Sequence, residues 1–261
     1  MEIKTNPLGI LIYAAMFCYL AAFVVFVARK RKEGRLIYAL GFVVACTAFV
    51  YRWVDVNHVP MKNLFEVFIL MGVCIFPITY LSKRFLGTSG EAFDMAVGFI
   101  VMFPAGFVFD DSSMTLMPAL QSPLFAPHVA TYMVSYIFMA KAACQAAAQL
   151  IKLKPAGRLA DYERSSYNMV CAGFPLMTLG LLLGSVWGKF AWGDYWGWDP
   201  KELWGLISWL VYVGYLHWRY MYGTKRPKAN SVWVLAGFAA IIITLLWVNL
   251  SRLFSGMHSY A

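Results

Sequence analysis

An all-α, polytopic membrane protein of about eight transmembrane helices is the fold this sequence predicts, and three observations carry it. The 261 residues are 61% apolar and only 13% charged, which leaves too little polar surface to cover a soluble globule. Apolar stretches of about 20 residues recur, the length a helix needs to cross ~30 Å of hydrocarbon. Charged or Gly/Pro-rich breaks separate them, and the basic residues gather in every second break.

In order, the expected spans are 8–28, 36–54, 64–82, 91–109, 128–150, 167–187, 203–221 and 231–250. The breaks RKRKEGR, SKR, KLKPAGRLADYER and RYMYGTKRPK, after the first, third, fifth and seventh spans, hold 15 of the 22 Lys and Arg residues. The positive-inside bias puts these four on the cytoplasmic side. Both termini and the segments near 55–63, 110–127 and 188–202 then face outward. A formal charge of +9 spread over short loops beside spans is topogenic, and no nucleic-acid role follows from it.

The opening MEIKTNPLGILIYAAMF has no basic segment ahead of its apolar run and no small-residue cleavage pattern after it, so the first span is expected to stay uncleaved. Cys18, Cys46, Cys74, Cys144 and Cys171 sit singly inside spans, without a Cys-Xaa-Xaa-Cys pair, and read as core packing. The longest interspan segment, DDSSMTLMPALQSPLFAP, has 18 residues, too few to bury a core of its own. Residues 1–261 therefore read as a single transmembrane helical domain, with no convincing internal repeat.

One stretch is unlike the rest. WGKFAWGDYWGWDPKELW, residues 187–204, carries Trp187, Trp192, Trp196, Trp198 and Trp204 around Gly188, Gly193 and Gly197. An interfacial aromatic belt accounts for one or two indoles. Five within one glycine-jointed loop make a platform for a large, flat, apolar ligand. The same stretch contains a helix start, with Asp199 as N-cap, Pro200 at the first helical position and Glu202 three after the cap, so Asp199 and Glu202 read as structural.

Four histidines can be weighed singly. His128 opens the fifth span from the outside and His258 follows the eighth, and the count of crossings puts both on the face of the tryptophan loop. Two imidazoles flanking an aromatic platform suit a planar iron macrocycle, which takes a nitrogen donor above and below the metal. Zinc fits worse, since no third or fourth ligand stands at metal spacing. His217 lies 13 residues past Trp204, ~20 Å deep at ~1.5 Å per residue, and reads either as part of an inner aromatic belt or as a second stop for haem. His58 reads as a solvated loop residue ahead of a further ligand or a hydrogen-bond partner, Asn63 and Glu66 as shaping an outer vestibule, and Lys141 as snorkelling to an interface.

WGDYWGWDPKELW, with QSPLFAPHV before it and GMHSY after it, resembles the CcsA/ResC membrane proteins of System II cytochrome c biogenesis, a haem-handling family marked by a tryptophan-rich WWD domain. HVPMKNLFEVFIL resembles that family's His-Xaa-Pro-Xaa-(Ser)-Asn-Leu-(Tyr)-Glu segment, and the likeness runs from about residue 50 to the C-terminus. CcmC-like relatives usually read Trp-Asp-Ala-Arg where this chain reads WDPKE, and CcmF-like chains are much longer. The resemblance implies haem b as substrate and bound ligand, with His128 and His258 as the outer axial ligands of its iron. It further implies that Trp192, Trp196, Trp198 and Asp199 form the haem-contacting tract, bounded by Trp187 and Trp204, and that His217 is the intramembrane histidine.

What the family does implies the activity: haem presented at the outer face and joined through thioether bonds to apocytochrome c at Cys-Xaa-Xaa-Cys-His, as a subunit of a membrane holocytochrome c synthase. Its location would be the bacterial plasma membrane, or the thylakoid membrane in a plastid, among membrane lipid. The family's intramembrane site takes a second histidine from a CcsB/ResB-type protein, so a separate partner of that type is implied. Two other classes share the composition: a b-type cytochrome electron-transfer subunit with haem held between facing spans, and a transporter for an apolar aromatic substrate with the tryptophans as its gate.

Overall fold

A computed structural model describes residues 3–88, 90–112, 116–151 and 161–250. Among them there is no strand, and eight long helices follow in sequence: α1 (Pro7–Val27), α2 (Arg31–Val56), α3 (Leu64–Phe85), α4 (Glu91–Phe107), α5 (Phe125–Leu150), α6 (Tyr162–Trp192), α7 (Pro200–Tyr222) and α8 (Pro227–Leu250). Each coincides with one expected span. Five of them, α1, α2, α3, α6 and α8, are long and apolar enough to cross a membrane, and the protein is a multi-pass membrane protein.

Most of the helices outrun the apolar runs that announce them, although α4 stops at Phe107, two residues short of its expected span. Thus α2 starts inside the basic break, at Arg31, and α6 continues five residues past the expected end at residue 187, to Trp192. Apolarity ends where hydrocarbon ends, but a helix ends where its backbone is capped. Asn6 caps α1 by accepting from Gly9 N at 2.7 Å, and Asn63 caps α3 by accepting from Glu66 N at 3.0 Å. Gly193, at φ 92°, closes α6 by donating its N–H to Lys189 O at 3.1 Å.

The chain forms two compact units, one from residues 1–81 and 90–117, the other from 82–89 and 118–261. In the first, the fully buried ring of Tyr19 on α1 lies between Gly41 of α2 and Gly98 of α4. A Cβ at either glycine would stand 2.9 or 2.8 Å from that ring, so the small residues are what let the backbones approach. The Tyr19 hydroxyl donates to Gly72 O of α3 at 2.8 Å.

In the second unit α5 packs along α6, and α8 along α5 and α7. The α5 face of α6 is a row of glycines. A Cβ at Gly173 would stand 2.8 Å from Phe138 Cβ, and one at Gly180 would stand 2.9 Å from the Tyr132 ring. At the end of this unit remote from the tryptophan loop, buried Glu163 accepts from Arg219 Nε at 2.6 Å and from Asn230 Nδ2 at 2.7 Å, tying α6, α7 and α8 together. Lys141 departs from expectation. Its side chain is 5% exposed, buried in the unit instead of reaching outward.

Candidate functional site

The tryptophan stretch divides into a wall and a loop. Trp187 and Trp192 belong to the last turns of α6, Trp204 to the first turns of α7, and only residues 193–199 are loop. Trp187 is 1% exposed and donates its indole N–H to Ala119 O at 2.9 Å. It is therefore a wall, with Phe125 at 5.5 Å and Trp192 edge-on at 4.6 Å between ring centroids. Trp204 is half-buried on α7 and makes no ring contact among the described residues.

His128 lies on this wall. Its ring runs nearly parallel to that of Trp187, 18° between planes and 5.8 Å between centroids, with Tyr132 edge-on at 5.2 Å. Nδ1 stands 2.9 Å from Gly180 O. A carbonyl only accepts, so Nδ1 carries the hydrogen and the lone pair of the neutral ring is on Nε2, the arrangement typical of a metal-binding imidazole. The ring occupies a slot that a glycine leaves open: a Cβ at Gly184 would lie 2.8 Å from His128 Nδ1 and closer still to Cε1.

The loop is pinned by side chains from the two helices it joins. Lys189 Nζ donates to Gly193 O, and Ser185 Oγ donates to Tyr195 O at 2.9 Å. Glu202 Oε2 accepts from Gly197 N at 2.8 Å and from Asp199 N at 3.1 Å. Asp199 accepts in return from Lys201 N at 2.9 Å, so the capping box anticipated from Asp-Pro-Lys-Glu is formed. Asp199 is 6% exposed.

Trp196 and Trp198 are the rings this loop presents, edge-to-face at 6.0 Å. Trp198 is 69% exposed and sits at φ 56°, a conformation that costs a bulky residue about 1–3 kcal/mol. Burial does not offset that cost. Trp198→Gly is therefore expected to raise the thermal midpoint of the purified chain, by the equivalent of about 1 kcal/mol. A lowered midpoint would mean that the ring itself holds the fold.

Within the second unit, His217 lies far from this wall. His217 is exposed on α7, with Nδ1 2.8 Å from Val213 O. Seventeen residues past Pro200, it sits ~26 Å along the helix axis from the tryptophan loop. His58 belongs to the first unit, a half-buried loop residue that fits the hydrogen-bonding reading better than the solvated one: Nδ1 stands 3.1 Å from Val59 O, and Nε2 is shut off from water. His258 lies outside the described residues, as does the whole terminal segment 251–261. The last described turn, however, is fixed at the tryptophan end of its unit, where Lys201 Nζ donates to Asn249 Oδ1 at 2.8 Å.

Sequence reasoning passed over two features. One is Arg52, 2% exposed and bonded through Nε to buried Glu66 at 3.1 Å, while its Nη1 donates to Asp111 O at 2.8 Å. Glu66 also accepts from Lys62 N at 2.8 Å. The residues expected to shape a vestibule, Asn63 and Glu66, are thus a helix cap and half of a buried ion pair. The other feature is the run Gly180, Gly184 and Gly188, whose four-residue spacing signals close helix approach.

Residues 33–256 match the family model described as cytochrome C assembly protein. A cytochrome c biogenesis protein CcsA of Prochlorococcus marinus (strain NATL2A) is 30% identical over 274 residues, covering 88% of this chain and 85% of the relative. CcsA of Guillardia theta is 29% identical, covering 88% of each. CcsA of Chlamydomonas reinhardtii is 32% identical, covering 80% of this chain and 63% of the relative. With most of its length matched and its tryptophan loop flanked by a slotted histidine, the chain belongs to the cytochrome c assembly protein family, in its CcsA branch of System II cytochrome c biogenesis.

Proposed function

We propose that this protein binds haem b at the wall and loop of its second unit and presents it to apocytochrome c for thioether attachment. The observation that carries the reading is the setting of His128: a ring fixed between Trp187 and Gly184, with its proton held by Gly180 O and its lone pair on Nε2. That donor set fits a haem iron, which takes neutral imidazole nitrogens. His258 is the proposed second ligand. The bond from Lys201 to Asn249 supports this, because it starts the terminal segment at the end of the unit where His128 lies.

The chain's own residues hold and orient. Trp192, Trp196 and Trp198 offer faces and edges to a flat ring, and the glycine-jointed loop, pinned at Gly193, Tyr195, Gly197 and Asp199, keeps them in place. Haem supplies vinyl groups to which the two thiols of Cys-Xaa-Xaa-Cys-His add. Because the reaction joins two groups that need mainly to be held close, positioning is the protein's contribution. Two axial imidazoles keep other ligands off the iron until the cytochrome's own histidine replaces one of them. Exposed His217 suits an intramembrane ligand shared with a CcsB-type partner, since its Nε2 lone pair is carried on a ring that faces away from its own unit. The face bearing the platform is the outer one in this reading, and the membrane is the bacterial plasma membrane or a thylakoid.

The test is His128→Gly in the chain purified with a CcsB-type partner. The wild type is expected to show a low-spin Soret band, the variant to lose it together with cytochrome c maturation, and added imidazole to restore the band. A variant with unchanged haem occupancy and maturation would overturn the assignment.

A further inference from the structure

We propose that Trp196 is a hydrogen-bond donor to a carboxylate at the edge of the planar ligand, so that the platform recognises the ligand's acidic side chains as well as its ring. The proposal rests on the haem-binding reading and adds a specificity to it.

The loop that carries Trp196 is satisfied almost everywhere else. Its backbone is tied at alternate residues, through Gly193 O to Lys189, Tyr195 O to Ser185, and Gly197 N and Asp199 N to Glu202. Ties on both sides of residue 196 leave its ring to move only about its own side-chain torsions. The ring is half-buried, and its Nε1 is closed to water without an acceptor among the described residues. Other indoles of this unit behave differently: Trp187 Nε1 donates to Ala119 O and Trp209 Nε1 donates to Thr178 Oγ1, each at 2.9 Å. Trp218 shares the defect, but it lies beneath the Arg226 guanidinium, 5.6 Å from its centroid.

A buried donor without a partner is a cost that a fold retains where a ligand relieves it. An indole N–H only donates, so the ligand must bring an acceptor. An anionic acceptor gives the stronger, charge-assisted bond. Lys189, in the last turn of α6, sets a positive charge against the same loop, its Nζ 5.5 Å from the Tyr195 ring centroid. Trp198, two residues on and edge-to-face with Trp196 at 6.0 Å, supplies an exposed flat face beside the donor. A donor next to a face is the complement of a flat acid, and haem has two propionate carboxylates at one edge.

The test titrates iron protoporphyrin IX and its dimethyl ester, which has no free carboxylate, into the purified wild type, Trp196→Phe and Trp198→Phe. The wild type is expected to bind the acid about tenfold more tightly than the ester. Trp196→Phe keeps an aromatic face and loses the donor, so it should bind both at the wild type's ester affinity, with a thermal midpoint no lower than the wild type's. Trp198→Phe should weaken both and keep the preference. A wild type that does not distinguish acid from ester overturns the proposal, as does a Trp196→Phe variant that retains the full preference. Failure of the wild type to bind either porphyrin removes the haem reading itself.

Discussion

Arg52→Met is expected to destabilise the first unit by about 3–5 kcal/mol, because it strands a buried carboxylate. Arg52 and Glu66 are 2% and 1% exposed, and their side chains meet at 3.1 Å. Removing the guanidinium leaves Glu66 with the Lys62 amide at 2.8 Å and without its Arg52 ion pair. It also withdraws the donor that Asp111 O uses at 2.8 Å. Removing both charges together, as Arg52→Met with Glu66→Leu, should cost much less than the sum of the single changes, since no charge is then left buried alone. Unfolding of the detergent-solubilised variants in a double-mutant cycle measures this. Single variants within about 0.5 kcal/mol of wild type would show that the pair does not organise the unit. On the haem-binding reading, cytochrome maturation is expected to fall with protein abundance in these variants, while any protein that remains folded keeps the wild-type haem spectrum.

That pair also marks where reading the sequence stopped. Eight helices were visible because long apolar runs broken by charge favour helix in a membrane, and five of them are long and apolar enough to cross one. Arg52 lies inside one such run, and hydropathy cannot tell whether a buried cation faces lipid or a carboxylate fourteen residues away. Glu66 was noticed as costly at that depth, and its partner was not, because the pairing depends on how α2 and α3 are placed in three dimensions. The Asp199 and Glu202 cap was legible for the opposite reason: its hydrogen bonds span three residues, and local sequence decides them.

At the candidate site the chemistry was easier to read than the division of labour. Five tryptophans and three glycines announced an aromatic platform, but their roles follow from where α6 ends. Helix to residue 192 makes Trp187 and Trp192 a wall, and loop from 193 makes Trp196 and Trp198 rings presented by a pinned loop. Only the cap at Gly193, with its positive φ, separates the two groups. Glycine was credited with bending the chain, whereas Gly180 and Gly184 do their work in mid-helix by leaving room for Tyr132 and His128.

Gly184→Ala should therefore strike the ligand site harder than the fold. The added methyl would meet the far end of a flexible side chain, with His128 Nδ1 at 2.8 Å as one of its neighbours. The imidazole can swing away at the expense of its bond to Gly180 O and its stacking on Trp187, so the cost falls on the orientation of Nε2. Gly173→Ala is the control on the same helix face, eleven residues away and so ~16 Å along the axis. There the methyl would meet Phe138 Cβ at 2.8 Å, which cannot move without its backbone, and the helices must part at a cost of about 1–3 kcal/mol. On the haem-binding reading, Gly184→Ala is expected to convert a low-spin, two-imidazole spectrum to one with a missing axial ligand, restored by added imidazole, while its thermal midpoint stays near wild type. Gly173→Ala is expected to lower the midpoint and keep the wild-type spectrum in whatever protein remains folded. The reverse pattern, a stable low-spin Gly184→Ala and a spectrally altered Gly173→Ala, would show that the slot over α6 does not set the histidine. The contrast holds because a side chain displaced from a slot loses its direction long before the two helices around it lose their packing.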